Sequence, residues 1–289
     1  MTSPGRRLRQ AYAERPLILP GVFNALSARM AERLGFRAVY LSGGALSAGW
    51  AGVPDVGLLT LTEFVEQAAV LVRACSVPVV SDADTGFGEA IHVARCVQLF
   101  ETAGVAAIHL EDQQLPKRCG HLTGKQLVDR STMVSKIRAA VASRSDPDFV
   151  VIARTDARAT EGLEAAIDRA LAYVDAGADV IFPEALESPE EFARFAEAIP
   201  VPLLANMTEF GKSPLLDSTS LEQLGYRIIL YPLTAFRVAM RAAADALRVL
   251  RDQGTQRDLI PRMLTRAELY DLLGYDDYEK ADRAFFGGS

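Results

Sequence analysis

Sulfur, imidazole and indole are scarce in this chain, with three cysteines, three histidines and one tryptophan among 289 residues. The cysteines, Cys75, Cys96 and Cys119, are odd in number and irregularly spaced, which suits reduced thiols in a cytosol better than a disulfide framework. No block of Lys and Arg is long enough to follow a phosphate backbone, and the net charge is −6, so a nucleic-acid partner is not expected. No apolar run approaches the length of a membrane span, so no membrane partner is expected either. The Arg-rich start lacks the apolar core of a leader, and the first strand-like run begins at Leu17; a cytoplasmic location is the expectation. What is present is ordinary globular material, 49% hydrophobic and 24% charged, enough for a sizeable core.

The apolar residues keep a regular beat. Short runs rich in Val, Ile and Leu recur as "LILPG", "AVYLSG", "VPVVSDAD", "AAIHLEDQ", "FVVIARTD", "DVIFPEA", "VPLLANMT" and "RIILYP". Between them lie stretches such as "ALSARMAERLG" and "GLEAAIDRALAYVDAGA", apolar at helical spacing and stopped by glycine. Strands alternating with helices imply a parallel sheet, and eight such units are the count for a closed (β/α)8 barrel. An open doubly wound sheet is the competing arrangement. No linker splits the chain, so residues 1–289 are expected to form one barrel domain, with 233–289 supplying a terminal helix and a helical tail.

Each run ends in polar chemistry: Ser42-Gly43-Gly44, Asp82 and Asp84, Glu111-Asp112, Arg154, Glu184, Asn206 and Thr208. In a parallel barrel those ends converge on one rim, where active sites form. Asp82 and Asp84 are two apart at a strand end, which places both on one face. Carboxylates that close repel unless a cation intervenes, and Mg2+ needs only one or two of them plus waters and substrate oxygens. Glu111 and Asp112 stand ready to hold metal-bound waters. The glycines of "GFGEAI" imitate part of a dinucleotide loop, but Ile91 replaces the last one and two aspartates precede it, so a pyrophosphate would be repelled.

Arg154, Arg237 and Arg266 are candidate carboxylate clamps, since the guanidinium fork matches a carboxylate through two bonds. "KRCGH", residues 117–121, lies in a polar connection of about twenty residues, long enough to read as a lid or binding loop. Lys117, Arg118 and His121 are expected to lower the Cys119 pKa towards neutrality, a range suited to giving and recovering a proton. Zinc is a weaker use, because no second Cys or His stands at ligand spacing. A plain mobile loop stays open as an alternative.

The stretches "YLSGG", "DADTGFG", "HLEDQ", "PKRCGH", "ARTDA", "FPEA", "LANMTEFG", "YPLTAFR" and "TRAELY" occur in order across nearly the whole chain. In these the sequence resembles the isocitrate lyase/phosphoenolpyruvate mutase superfamily, most closely its methylisocitrate-cleaving branch. The resemblance implies a (β/α)8 barrel whose last helix is exchanged between subunits of a homotetramer, with Mg2+, or Mn2+ in its place, at the rim. It implies cleavage of a small polycarboxylate, 2-methylisocitrate, to pyruvate and succinate, a step of propionate catabolism. On the matching positions, Asp82 and Asp84 would hold the metal, with Asp55 and Glu111 in its supporting shell. Ser42, Gly43, Gly44, Lys117, Gly120, His121, Arg154, Glu184, Asn206, Thr208, Arg237 and Arg266 would bind substrate. Cys119 would be the catalytic acid, and Tyr40 and Glu184 the candidates for the base. The "LTGK" after "KRCGH" departs from that branch towards carboxyphosphonoenolpyruvate mutases, whereas Pro183, Thr208 and Phe210 favour the lyase. A 2,3-dimethylmalate lyase, a phosphonomutase and a catalytically silent binding barrel are the alternatives.

Overall fold

The computed structural model describes residues 2–287. Its centre is a ring of parallel strands: β1 (Leu17–Val22), β2 (Val39–Leu41), β3 (Val79–Asp82), β4 (Ala107–Glu111), β5 (Val150–Thr155), β6 (Val180–Pro183), β7 (Leu204–Asn206) and β8 (Ile228–Tyr231). All eight apolar runs contain a strand. They pair in the order β6-β5-β4-β3-β2-β1-β8-β7. A parallel bridge between Ile181 and Leu203, with Ile181 N–H donating to the Pro202 carbonyl at 3.1 Å, joins the two ends. The ring is a nearly closed barrel, not the open sheet.

Local chemistry builds each repeat. The helix over Leu61–Ala74 starts at a capping box, in which Thr60 accepts from Glu63 N–H and the Glu63 carboxylate reaches back to Thr60 N–H. The helix over Ala90–Thr102 is closed by Gly104 at φ 87°, a left-handed turn that costs glycine little.

The barrel fills from both sides of its strands. Leu17, Leu19, Tyr40, Val80, Ile152, Val180, Phe182, Leu204, Ile228 and Leu230 pack into one inner cluster. Leu8, Ala11 and Tyr12 join it from the helix Pro4–Glu14, which closes the end of the barrel at which the strands start. That helix is the element the Arg-rich start did not reveal. Outward-facing residues such as Val39, Leu41, Val79, Ile108, Val151 and Ile181 form the second cluster with the surrounding helices.

The helix after β8, Thr234–Gln253, behaves differently. None of its residues is buried, and Val238, Met240, Leu247 and Leu250 are exposed. On the barrel wall Ile18 of β1 is 39% exposed where a covering helix would shield it. Beyond it, short helical segments at Arg257–Arg262, Arg266–Leu273 and Tyr275–Phe286 complete the described chain.

Candidate active site

The period of the strands explains which side chains reach the rim from inside. Along β5, Val150 and Ile152 point into the barrel and Arg154 follows them; along β6, Val180 and Phe182 lead to Glu184; along β7, Leu204 leads to Asn206 and then Thr208. On β4, His109 and Glu111 continue the row begun by Ala107. Register then sets Asp82 beside His109 and Glu111 beside Arg154. Asp112 falls on the other face. It accepts from Thr155 Oγ1 at 2.8 Å, Asp156 N–H at 2.9 Å and the Tyr173 hydroxyl at 2.8 Å, so it braces neighbouring elements and does not line the cavity.

Asp84 reaches the site by a route other than strand alternation. β3 ends at Asp82, and the chain turns at Asp84 through φ 46°, a conformation Asp tolerates. Asp84 N–H donates to Asp82 Oδ1 at 2.9 Å, and Gly43 N–H donates to Asp82 Oδ2 at 3.1 Å. Lys117 Nζ, buried, lies 2.5 Å from Oδ1 of both Asp84 and Asp55. Burial and the neighbouring Asp82 and Asp55 nonetheless push the Asp84 carboxyl up to about 7, and burial holds Glu111 well above the usual range.

Arg154 is the other pole. It grips Asp156 through two bonds, Nε to Oδ2 at 2.9 Å and Nη2 to Oδ1 at 3.1 Å. Its Nη1 stands 3.3 Å from Glu111 Oε2, its Nη2 3.5 Å from Glu184 Oε1, and the guanidinium lies over the Phe182 ring. Glu184 also accepts from Asn206 Nδ2 at 3.1 Å and lies 3.3 Å from His121 Nε2. Deeper in, the Tyr40 hydroxyl meets His109 Nδ1 at 2.9 Å, and His109 Nε2 stands 3.1 Å from Asp82 Oδ1. Burial, reinforced by Asp82, keeps Tyr40 well above the normal tyrosine range, and burial lowers His109.

The loop carrying "KRCGH" closes over this floor. Gln113 clamps its base by exchanging two hydrogen bonds with the Arg118 backbone, both 2.9 Å. A Cβ on Gly120 would run into Glu184 Oε1 and Arg154 Nη2, so only glycine brings the backbone this close. Lys117 turns down to the aspartates, and the Arg118 side chain reaches back to the Thr123 carbonyl at 3.2 Å. Those ion pairs and hydrogen bonds engage the cations away from the sulfur, and burial pushes the Cys119 thiol up from its ordinary value. The expectation of a lowered pKa is therefore corrected: the surroundings of Cys119 shift it upward. The space left beneath the loop is about 70 Å³, below the roughly 300 Å³ at which small-molecule pockets begin.

Tyr40, Ser42, Gly44, Asp55, Asp82, Glu111, Lys117, Cys119, Gly120, His121, Arg154, Glu184, Asn206 and Thr208 all line this cavity. Gly43 and Asp84 touch it through Asp82 and Lys117. Arg237 does not line it; its Nε lies 3.6 Å from Glu209 Oε2 and its guanidinium over the exposed Phe210 ring. Arg266 is exposed at the start of a helix that packs on Ala25–Arg33, also outside the cavity. His109, Lys125 and Asp156 were not singled out from sequence. His109 and Asp156 stand in "HLEDQ" and "ARTDA", two residues from Glu111 and Arg154, whereas Lys125, in "LTGK", carried no such signal.

Among the described residues no group of three or more His, Cys, Asp or Glu side chains forms a ready-made metal cage. The donor set instead fits an ion that keeps most of its waters: two adjacent carboxylates, Asp82 and Asp84, with Asp55 beside them and one ammonium between Asp84 and Asp55.

Fold and rim together define a barrel enzyme whose charged floor is covered by a cysteine-bearing loop. Residues 6–251 match the family described as phosphoenolpyruvate phosphomutase. A 2-methylisocitrate lyase of Aeropyrum pernix is 51% identical over 96% of this chain and 90% of its own length. A crystal structure of 2,3-dimethylmalate lyase, a PEP mutase/isocitrate lyase superfamily member, superimposes with a TM-score of 0.91 at 38% identity, covering 100% of this chain and 99% of the other. A phosphonopyruvate hydrolase in complex with oxalate and Mg2+ superimposes with a TM-score of 0.88 at 33% identity, covering 98% of this chain and 99% of the other. The chain belongs to the phosphoenolpyruvate phosphomutase family. Within it, the chain is a carbon–carbon lyase.

Proposed function

We propose that this lyase cleaves 2-methylisocitrate to pyruvate and succinate in a Mg2+-dependent reaction. The observation that carries the reading is the loop that brings Cys119 to one cavity with Arg154, Glu184, Asp55 and Asp82. The activity named for the Aeropyrum pernix relative, at 51% identity, agrees with it.

Asp82 and Asp84 would hold the metal, Mg2+ or Mn2+, with Asp55 and Glu111 behind them. When bound, the metal supplies a Lewis acid for the substrate's oxygens. Arg154, the Gly43 and Gly44 amides, Ser42, Asn206 and Thr208 hold the carboxylates and orient the C2–C3 bond. Glu184 accepts the proton of the C2 hydroxyl, because Tyr40, held far above its usual pKa, is a poor base and serves to orient that oxygen. As the C2 oxygen becomes the ketone of pyruvate, the C2–C3 electrons move onto C3 and into its carboxylate. Arg154 and the loop amides offset that charge. Cys119 then donates its proton to C3, which completes succinate, and the thiolate is reprotonated from solvent once the loop opens.

The exposed apolar residues of Thr234–Gln253 and the bare Ile18 on the barrel wall support a homotetramer in which each subunit covers its neighbour with this helix. In that assembly the helix also presents Arg237, and the segment after it Arg266, to substrate. The chain would work in the cytoplasm; among the described residues no helix is long and apolar enough to cross a membrane.

A steady-state panel of 2-methylisocitrate, isocitrate, 2,3-dimethylmalate and oxaloacetate with Mg2+ tests the assignment. The highest kcat/KM belongs to 2-methylisocitrate. A dominant rate on 2,3-dimethylmalate would reassign the substrate, and no turnover of any of the four would overturn the reading.

A further inference from the structure

Lys125 is placed like a fastening rather than a ligand. It sits at the far side of the cysteine loop and does not line the cavity, yet its side chain is 1% exposed. The ammonium donates to Asp156 Oδ1 at 2.8 Å and to the carbonyl of Gly120, the residue after Cys119. Asp156 is fully buried at the end of β5, anchored by its own N–H donating to Asp112 Oδ1 at 2.9 Å. Its Oδ1 therefore receives one donor from the loop and one from Arg154.

We propose that Lys125 is the positioning residue that holds Cys119 over the substrate, a latch between the loop and the carboxylate that also orients Arg154. Holding the Gly120 carbonyl fixes the Gly120–His121 peptide, one residue beyond Cys119, and so limits how far the cysteine can swing from the floor of the cavity. The pairing is also built to release. When the loop lifts, the ammonium goes into water, while Asp156 keeps both bonds from Arg154, so no buried carboxylate is left unpaired. A lysine buried against a carboxylate with no second partner would instead hold the loop permanently.

The chemical role of Cys119 rests on the function proposed above, but the latch is testable without any substrate. Cys75 and Cys96 are buried and Cys119 is exposed, so iodoacetamide on the folded protein labels Cys119 alone and checks that the barrel stays intact, while trypsin, which needs several residues of loop to come free, reports the latch at Arg118. Lys125→Met loses the charged hydrogen bonds, and tryptic cleavage after Arg118 accelerates by about tenfold. Lys125→Arg keeps a charged donor and recovers most of the protection, and Cys75 and Cys96 stay unlabelled throughout. Wild-type rates in Lys125→Met would overturn the proposal. So would labelling of all three cysteines in both Lys125→Met and the milder Lys125→Gln, since Lys125 would then support the barrel and not the loop. A changed substrate assignment leaves these outcomes untouched.

Discussion

The Lys117 ammonium stands 2.5 Å from Asp84 Oδ1, deep in the rim, and bridges from there to Asp55. One loop cation thus compensates the carboxylates assigned to the metal.

Removing that cation tests the compensation. Lys117→Met leaves Asp84 buried beside Asp82 without a partner, and breaking a buried pair in this way costs about 3–5 kcal/mol. Chemical denaturation in EDTA shows the loss, and added Mg2+ recovers much of it by neutralising the same carboxylates. Equal stability of the variant and wild type in EDTA would contradict the role given to Lys117.

Gly120 offers a probe of closure. Gly120→Ala directs a methyl group at Glu184 and Arg154, so the loop can close only by displacing them. Turnover falls by about 10²-fold, the effect of a misplacement near 1 Å, while the melting temperature stays close to wild type. Unchanged kcat would show that the closed loop is not the reacting state.

The thiol carries a pH signature. Burial raises the Cys119 pKa, so the proton is retained through neutral pH and the reactive thiolate appears only in more alkaline solution. Alkylation of Cys119 therefore rises with pH and levels off above the ordinary thiol value of about 8.5. A plateau already reached at pH 7 would restore the lowered pKa that the neighbouring cations suggest in the sequence. Cys119→Ser, with a much weaker acid, loses turnover by about 10²–10⁴-fold while substrate binding persists.

That disagreement shows where the sequence stops being legible. The eight strands and the rim were readable because period-2 alternation and repeated helical stops are local signals. Glu111, Arg154, Glu184 and Asn206 were placed by the same rule. Charge around Cys119 was not readable, because Lys117 and Arg118 turn away from the sulfur to partners at Asp84 and Thr123. Asp112 was misjudged for want of the one-residue step that sends it outward. Lys125 stayed hidden because its meaning lies in a contact with Asp156, 31 positions away.

The outward face of Thr234–Gln253 predicts assembly. Sedimentation of the purified chain gives a tetramer, and Leu247→Glu, which places a charge on an exposed apolar position of that helix, shifts it to smaller species. A wild-type monomer would leave the exposed Ile18 and the helix without the proposed cover.

Glu184 and Tyr40 are separated by paired substitutions. Glu184→Gln removes the proton acceptor and lowers kcat by about 10²–10⁴-fold, whereas Tyr40→Phe, which only loses an orienting hydroxyl, costs less. The reverse order would move the base to the tyrosine.

The central claim is metal-dependent carbon–carbon cleavage under a proton-donating cysteine. It is tested most directly by pyruvate release from 2-methylisocitrate, followed with Mg2+ and with EDTA for wild type and Cys119→Ser. Release that needs Mg2+ and collapses in Cys119→Ser is the predicted result. Metal-independent release, or a Cys119→Ser enzyme as fast as wild type, would contradict it.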